Sequence, residues 1–335
     1  MKIAILYDGE HETWDAKDVA SVMDSVREIQ TCLRARNYEV STVPVRHQDF
    51  SWLTKARRVD VVFNLCEGIG GISRFEDFVV GTLELAGLPY TGCRPWPVAL
   101  CHRKHVANTV LARGGVPIPR FILAQGNRLP SDLTLPVIVK PAAEDASVGI
   151  DSASVCTTKK ALKKRLAEMS EQWEEVLVQE YVAGREFNVG FVGRQVLPLA
   201  ELCFDGMPEG SWPILTYAAK WDVGSPEDLG STPVCPAELP ADLAKRIVQV
   251  ARSAWENLCN AEGYGRVDLR VDSDGQPYIL EVNPNPDISD SAGLSRMAKA
   301  YGWEYEELIS RIVEEALNRS SSRQAAAALA SGTPT

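Results

Sequence analysis

Short apolar runs alternate with helix-spaced apolar positions over the first hundred residues of the chain. The runs Lys2–Tyr7, Val40–Val45 and Val59–Leu65 are typical of buried strands. Phe75–Ala86 has the spacing of a helix, as do the apolar residues between the first two strands: Val19, Val22, Met23, Val26, Ile29 and Leu33. Strand–helix alternation predicts a parallel, doubly wound α/β domain over residues 1–100.

The next eighty residues mix strands and helices less regularly, which predicts a compact α+β domain over residues 101–183. A helix is expected over Cys101–Arg113, with Gly114 and Gly115 ending it. A second helix is expected over the lysine-rich segment Lys159–Met169. The predicted strands are Phe121–Ala124, Val137–Lys140 and Val176–Val182.

Strands dominate from Gly184 until an amphipathic helix, Leu239–Cys259, and the chain then returns to strands and closes with two helices. These elements predict a third domain over residues 184–319. Residues 320–335 are rich in Ser, Ala, Gly and Thr and lack an apolar face, which predicts a disordered tail.

A predicted β-hairpin within the third domain carries the residues of greatest chemical interest. Its strands, Gly265–Val271 and Pro277–Val282, flank an Asp-Gly turn, which is a strong hairpin signal. Asp268, Glu281 and Asn283 could converge there as oxygen ligands, the type that Mg²⁺ prefers.

Arg266 stands two residues from Asp268, so both side chains point to the same face of the sheet. A permanent cation beside a metal could stabilise a reacting oxyanion. The alternative interpretation is a surface hairpin with solvated charges.

Composition and charge exclude several classes of function. At 335 residues two or three domains are expected, and a net charge of −10 makes nucleic acid an unexpected partner. The N-terminus turns acidic too early for a signal peptide, and no apolar run is long enough for a membrane span. The eight cysteines form no Cys-x-x-Cys motif, which is typical of reduced thiols in a cytoplasmic protein.

The sequence contains neither a P-loop nor a Rossmann glycine fingerprint. Lys140 instead ends an apolar strand, where a lysine needs an anionic partner or a route to solvent. A polar loop, Glu144–Gly149, follows, and its backbone N–H groups and the Ser147 hydroxyl could fold over phosphate oxygens.

The Arg-x-Asp and Glu-x-Asn pairs, followed by Pro284-Asn285-Pro286, resemble the metal-binding end of the ATP-grasp superfamily, in its D-alanine–D-alanine ligase-like branch. The resemblance implies an ATP-grasp fold with an N-terminal parallel-sheet domain. It implies ATP held between two lobes and one or two Mg²⁺ ions, for which Mn²⁺ may substitute, bound by Asp268, Glu281 and Asn283.

The same resemblance assigns roles along the rest of the chain. Lys104 and Lys140 would bind phosphates, although Arg103 replaces the usual Asp and Lys104 could instead be an exposed helix lysine. Lys220 would reach the γ-phosphate from a mobile loop in which Trp221 replaces the usual Tyr. Glu186 would accept hydrogen bonds from the ribose hydroxyls. The adenine edge would be read by the backbone of four residues: Gln179, Glu180, Tyr181 and Val182.

The resemblance further implies an ATP- and Mg²⁺-dependent carboxylate–amine ligase that acts through an acyl phosphate. Its substrates would be small amino acids or short peptides, in peptidoglycan biosynthesis, and the protein would be a homodimer without membrane or nucleic-acid partners. Arg266 would stabilise the tetrahedral intermediate, and the loops around Ser147 and Lys220 would exclude water as lids.

Several substrate positions depart from the family pattern. Asp18 replaces a longer glutamate that grips the first substrate's ammonium group, and the Ser-Ser pair of the phosphate loop is reduced to Ser147. The other departures are Cys66-Glu67-Gly68, Ala146, Asn285, Asp287 and Ala292-Gly293-Leu294.

Three functions therefore remain open: a D-alanine–D-alanine ligase, a sister ligase for other amino acids or peptides, and a nucleotide-binding protein without turnover. Arg266 argues against the third, because nucleotide sensing alone would not need it.

Overall fold

The structure is a computed structural model that describes residues 1–10, 16–124 and 133–331. At residues 16–18 and 323–331 it describes the backbone alone. The described residues form one parallel sheet and two antiparallel sheets, each with helices packed against it. These sheets follow one another along the chain.

The N-terminal sheet is parallel, as the strand–helix alternation predicts. Its strand order is β2-β1-β3, and Ile3 pairs with both Val40 and Val61. The elements of this part are β1 (Lys2–Asp8), α1 (Ala16–Ala35), β2 (Glu39–Val45), α2 (Ser51–Ala56), β3 (Val61–Asn64) and α3 (Glu76–Leu85).

The single helix predicted to begin at Cys101 is wrong, because two helices occupy this region: α4 (Pro95–His102) and α5 (Lys104–Arg113). Pro95 lies in the first turn of α4, where a fixed φ and a missing N–H are tolerated. Arg103 breaks the helix with φ −102° and ψ 87°. The backbone N–H of Lys104 then donates to Ala142 O at 2.9 Å, which fixes the start of α5 beside the middle sheet.

The middle sheet has the order β4-β7-β5-β6, with antiparallel neighbours. Helix α6 covers it with Leu162, Leu166 and Met169, which pack on Val137 and Val139. The elements are β4 (Phe121–Ala124), β5 (Val137–Pro141), β6 (Val155–Cys156), α6 (Lys159–Ser170) and β7 (Val176–Glu180).

The third sheet has the order β11-β10-β8-β12-β13, with β9 on β8. Trp255 is fully buried and stacks on Phe191 at 5.4 Å, and a side chain at Gly265 would fall 2.4 Å from the indole. The elements are β8 (Arg185–Val192), β9 (Gln195–Val196), β10 (Ala200–Cys203), α7 (Tyr217–Trp221), α8 (Pro226–Gly230), β11 (Thr232–Val234), α9 (Ala241–Cys259), β12 (Tyr264–Val271) and β13 (Pro277–Asn283).

Two last helices, α10 (Gly293–Tyr301) and α11 (Tyr305–Ser331), join the first and third sheets in one apolar core. Arg319 of α11 donates to Gly92 O and to Tyr90 O, both at 2.6 Å, and so anchors the helix to the N-terminal part. None of the described helices is both long and apolar enough to cross a membrane.

The backbone remains helical through Ser331, so the structure differs from the disordered tail predicted from Ser320. The alanine-rich sequence after Gln324 explains the difference, since alanine has the highest helix propensity of the natural residues. Residues 332–335 of the predicted tail lie outside the described residues.

Candidate functional site

An open cleft of about 840 Å³, mouth included, lies between the middle sheet and the third sheet. The structure brings most of the predicted site residues to its walls: Lys140, Ser147, Gln179, Glu180, Tyr181, Val182, Glu186, Lys220, Arg266, Asp268, Glu281 and Asn283.

The hairpin forms as predicted, with β12 and β13 antiparallel. Asp268 pairs directly with Glu281, and Arg266 pairs with Asn283. The register shifts after Asp268, where Leu269 pairs with Ile279, so this end of the hairpin carries a β-bulge. The predicted metal-binding side chains therefore share one face, which lines the cleft.

The Asp268 carboxylate is almost buried and accepts three hydrogen bonds. Arg266 binds it with two hydrogen bonds, Nε to Oδ1 at 2.7 Å and Nη2 to Oδ2 at 2.8 Å, and Asn188 Nδ2 donates to Oδ1 at 2.7 Å. Asn188 is not among the predicted residues, although it is the register partner of Asp268 on β8. Within the part of the chain that the structure describes, Arg266 has three of its five N–H donors left for another acceptor.

The two phosphate lysines are both buried, but their surroundings differ. Lys104 Nζ lies 2.5 Å from Asp145 Oδ1 and 3.5 Å from Glu281 Oε2, so the exposed alternative is wrong for this lysine. Burial alone would lower the pKa of Lys104, but these two carboxylates outweigh burial and the pKa is raised. Burial lowers the pKa of Lys140, with only partial compensation from Glu281.

The two predicted lid segments contact each other. Ala146 and Ser147 have φ values of 55° and 62°, a left-handed conformation that turns the phosphate loop sharply. Trp221 Nε1 donates to Ala146 O at 2.9 Å, and the Tyr217 N–H donates to Ile150 O at 2.9 Å. The segment that carries Lys220 is thus linked to the phosphate loop at two points.

In the segment predicted to read adenine, the amides of Glu180 and Tyr181 are already occupied. The N–H groups of Glu180 and Tyr181 donate to Arg120 O and Pro136 O. The Gln179 side chain is 1% exposed, and neither its Oε1 nor its Nε2 has a partner among the described residues. A buried, unsatisfied amide on a cleft wall is a candidate for ligand binding, which the backbone-only prediction missed.

Glu186 is bound by Arg270, a residue absent from the sequence predictions. Arg270 Nε donates to Glu186 Oε2 at 2.9 Å, and the two residues are register partners on β12 and β8. Sequence alone contained one signal for this: Arg266, Asp268 and Arg270 alternate along a strand and must share a face.

Three carboxylates, of Glu67, Glu76 and Asp287, lie near the hairpin exit. Burial and the nearby Asp287 raise the pKa of Glu67 to about 7, although this side chain still reaches solvent. Burial raises the pKa of Glu76 to about 8 despite the opposing effect of Asn285. Asn285 Nδ2 donates to Glu76 Oε1 at 2.9 Å and to Cys66 O at 3.3 Å, which connects these two residues to the exit of the hairpin.

Asp18 lies in α1, and its side chain is outside the described residues. The predicted grip on a substrate ammonium group therefore stays a prediction.

The sheet order, the hairpin and the charged cleft together define an ATP-grasp fold. The protein is a ligase of this fold, in the class that forms carbon–nitrogen bonds. A family profile described as "D-ala D-ala ligase C-terminus" matches residues 123–314. The chain belongs to this family, in the D-alanine–D-alanine ligase-like branch of the ATP-grasp superfamily.

Similar proteins extend over nearly the whole chain. The D-alanine–D-alanine ligase of Bordetella avium is 30% identical over 324 residues, which is 94% of both chains. The one from Thermotoga maritima is 29% identical and covers 94% of this chain and 97% of its own. An uncharacterized protein of Sinorhizobium fredii is 35% identical over 271 residues, 79% of this chain and 76% of that protein.

The fold is also that of a solved structure. The crystal structure of D-alanine–D-alanine ligase from Bacillus anthracis complexed with ATP has a TM-score of 0.77. It is 24% identical in sequence, and the match covers 96% of this chain and 99% of that chain.

Proposed function

We propose that the protein is an ATP- and Mg²⁺-dependent carboxylate–amine ligase that acts through an acyl phosphate. The observation that carries this proposal is the pairing of Asp268 with Glu281 across the hairpin. The pair lies on the same cleft wall as Arg266, and the cleft is also lined by Lys140 of β5 and Ser147 of the phosphate loop. An arrangement of carboxylates, cations and a turn-rich loop around one cleft suits a metal-bound triphosphate.

Asp268, Glu281 and Asn283 fit a magnesium site because they offer two carboxylates and an amide oxygen, all hard donors, and the three hydrogen bonds to Asp268 leave it an acceptor site. Mg²⁺, when bound, would neutralise phosphate oxygens. The Asn283 Oδ1 atom already accepts the Asn285 N–H at 3.0 Å, which orients that amide.

The chain's own cations would hold the rest of the nucleotide. Lys140 lines the cleft, Lys104 contacts Glu144 and Asp145 of the phosphate loop, and Lys220 lies on the linked segment 216–221. Burial and the nearby Arg266 lower the pKa of Lys220, since two cations share that side of the cleft. A bound polyphosphate would relieve this repulsion.

The reaction needs no protein nucleophile. A substrate carboxylate oxygen attacks the γ-phosphorus, the bond to the β-phosphate oxygen breaks, and ADP leaves. The amine of the second substrate then attacks the acyl carbon, phosphate departs, and the nitrogen loses a proton. The remaining N–H donors of Arg266 would stabilise the tetrahedral oxyanion.

A second candidate is a sister ligase that joins amino acids or peptides other than two D-alanines. Asp287 favours it, because an added carboxylate at this position would repel an acidic substrate and attract an ammonium group. We propose a cytoplasmic homodimer for either candidate, with a place in peptidoglycan biosynthesis if the D-alanine specificity holds.

Phosphate release from ATP, screened with single and paired D- and L-amino acids, tests the proposal. Turnover should require both an amino acid and Mg²⁺ or Mn²⁺, and chelation with EDTA should abolish it. Strong turnover with D-alanine alone would refute the sister-ligase candidate. ATP binding without phosphate release in any combination would refute ligase activity and leave a nucleotide-binding protein.

A further inference from the structure

Arg270 is a buried cation, with 3% of its side chain exposed, at the inner wall of the cleft. Its guanidinium group donates to three separate parts of the chain. Nε donates to Glu186 Oε2 at 2.9 Å on β8, Nη1 donates to Val182 O at 3.0 Å after β7, and Nη2 donates to Pro213 O before α7.

Aromatic rings enclose the same guanidinium group. Its central carbon lies 4.9 Å from the ring centre of Tyr181 and 5.8 Å from that of Phe204. Tyr181 in turn contacts Trp212 edge to face at 5.0 Å. These contacts leave the guanidinium group little freedom to rotate, so its partners are held in one arrangement.

We propose that Arg270 is the positioning residue of the nucleotide subsite. It holds the Glu186 carboxylate in place for the ribose hydroxyls. It also connects this carboxylate to Val182, in the segment predicted to read adenine, and to the segment that carries Lys220. This inference rests on the proposed ATP-dependent function.

Arg270 binds Oε2 of Glu186 and leaves Oε1 for another donor. Burial raises the pKa of Glu186, and the positive charge of Arg270 opposes this rise. Without Arg270 the carboxyl group would both lose its orientation and gain a proton more readily, and a protonated carboxyl group is a weaker acceptor for ribose hydroxyls.

The Pro213 contact extends the effect toward the reacting phosphate. Pro213 precedes Thr216 by three residues, and the Thr216 side chain caps α7 by accepting the Ala219 N–H at 3.1 Å. Lys220 lies in this short helix. One side chain thus connects the ribose acceptor with the element that carries the γ-phosphate lysine.

The test compares ATP with 2′,3′-dideoxy-ATP, by calorimetric binding to the full chain in the presence of Mg²⁺. The wild-type protein should bind ATP about ten-fold more tightly, since hydrogen bonds to a charged group are lost with the dideoxy compound. Arg270→Met should reduce this ratio to about one, and Arg270→Lys should give an intermediate ratio. In turnover, KM for ATP should rise while KM for the amino acids stays unchanged.

Arg185→Met is the matched control. Arg185 also makes a two-pronged ion pair, with Glu201 at 2.6 Å, but that pair lies away from the cleft lining. This variant should keep the wild-type ratio between the two nucleotides. A general loss of stability would affect both nucleotides equally and would not change the ratio.

An unchanged ratio in folded Arg270→Met would overturn the inference while ATP binding itself stands. If Arg270→Met does not fold, Arg270→Lys decides: a ratio reduced at least three-fold supports the inference and a wild-type ratio overturns it. Failure of the wild-type protein to bind ATP would instead refute the proposed function, and the inference with it.

Discussion

The indole N–H of Trp221 donates to the carbonyl oxygen of Ala146 at 2.9 Å, which joins the two segments that flank the cleft. Ala146 belongs to the phosphate loop, and Trp221 directly follows Lys220. The position of one segment therefore depends on the position of the other. Such a link suits an enzyme that must keep water away from a reactive acyl phosphate.

Trp221→Phe should remove this hydrogen bond but retain an aromatic ring. We expect a fall in ligation of about two- to ten-fold, since a neutral hydrogen bond contributes about 0.5–1.5 kcal/mol. More ADP should form per molecule of ligated product, because water reaches the acyl phosphate. Simultaneous measurement of ADP and product checks this.

Val223→Ala provides the control for that measurement, because Val223 lies two residues after Trp221 and is 86% exposed. Equal ADP-to-product ratios in wild type, Trp221→Phe and Val223→Ala would show that the link does not exclude water.

Substitutions of Lys104 and Lys140 should differ in their effect on the free energy of unfolding, although both should weaken ATP binding. Lys104→Met leaves Asp145 and Glu281 without this cation and should lower the free energy of unfolding by about 2 kcal/mol. The loss is smaller than for a fully buried ion pair, because the Asp145 side chain is half exposed. Lys140→Met removes a cation that burial disfavours, so the free energy of unfolding should stay unchanged or rise.

Both variants should weaken ATP binding at least about ten-fold, as expected for a lost charged hydrogen bond. Urea unfolding without nucleotide and calorimetry with ATP check the two effects. A large loss of stability in Lys140→Met would contradict the difference between the two lysines.

Glu281→Gln should abolish turnover and leave the fold intact, since the amide keeps the shape but loses the charge that suits a divalent ion. We expect at least about a hundred-fold loss of phosphate release, a magnitude reported for groups that stabilise charge in the transition state. Asp274→Asn, an exposed change in the turn of the same hairpin, should retain full activity. Near-normal turnover in Glu281→Gln would remove Glu281 from the metal site.

Glu76 should make stability depend on pH. Its pKa in the folded protein is about 8 against an ordinary value of 4.5, so the folded state holds a proton that the unfolded chain releases between these values. This contribution is fully present below pH 4.5 and is lost as the pH rises to about 8. Glu76→Gln imitates the protonated form, so its free energy of unfolding should fall less steeply as the pH rises.

Urea unfolding at several pH values, with the exposed Glu39→Gln as control, checks this expectation. Glu67 shifts in the same direction, so only the difference between wild type and Glu76→Gln reports on Glu76. Parallel pH curves for those two proteins would disprove the assignment.

Much of the fold follows from local sequence. Apolar runs and helical spacing predict the parallel N-terminal sheet, and the Asp-Gly turn predicts the hairpin. Because side chains alternate along a strand, the hairpin also predicts that Asp268 and Glu281 face the same space. Local rules are sufficient for these features.

The remaining features depend on contacts between distant parts of the chain. Glu186 and Arg270 are 84 positions apart, and they meet only because β8 and β12 become neighbours. The break at Arg103 likewise depends on the Lys104 N–H finding Ala142 O. Neither partner can be chosen from sequence until the order of the strands is known.

The strand order has a practical consequence for redesign. Asp268 lies on β12, an interior strand held by β8 and β13 on either side, whereas Glu67 and Asp287 lie on loops that follow β3 and β13. Under the proposed function, the residues for phosphoryl transfer and the residues that would select substrates are carried by separable pieces of backbone. Exchange of the two loops would then be a modular route to ligases that join other substrates.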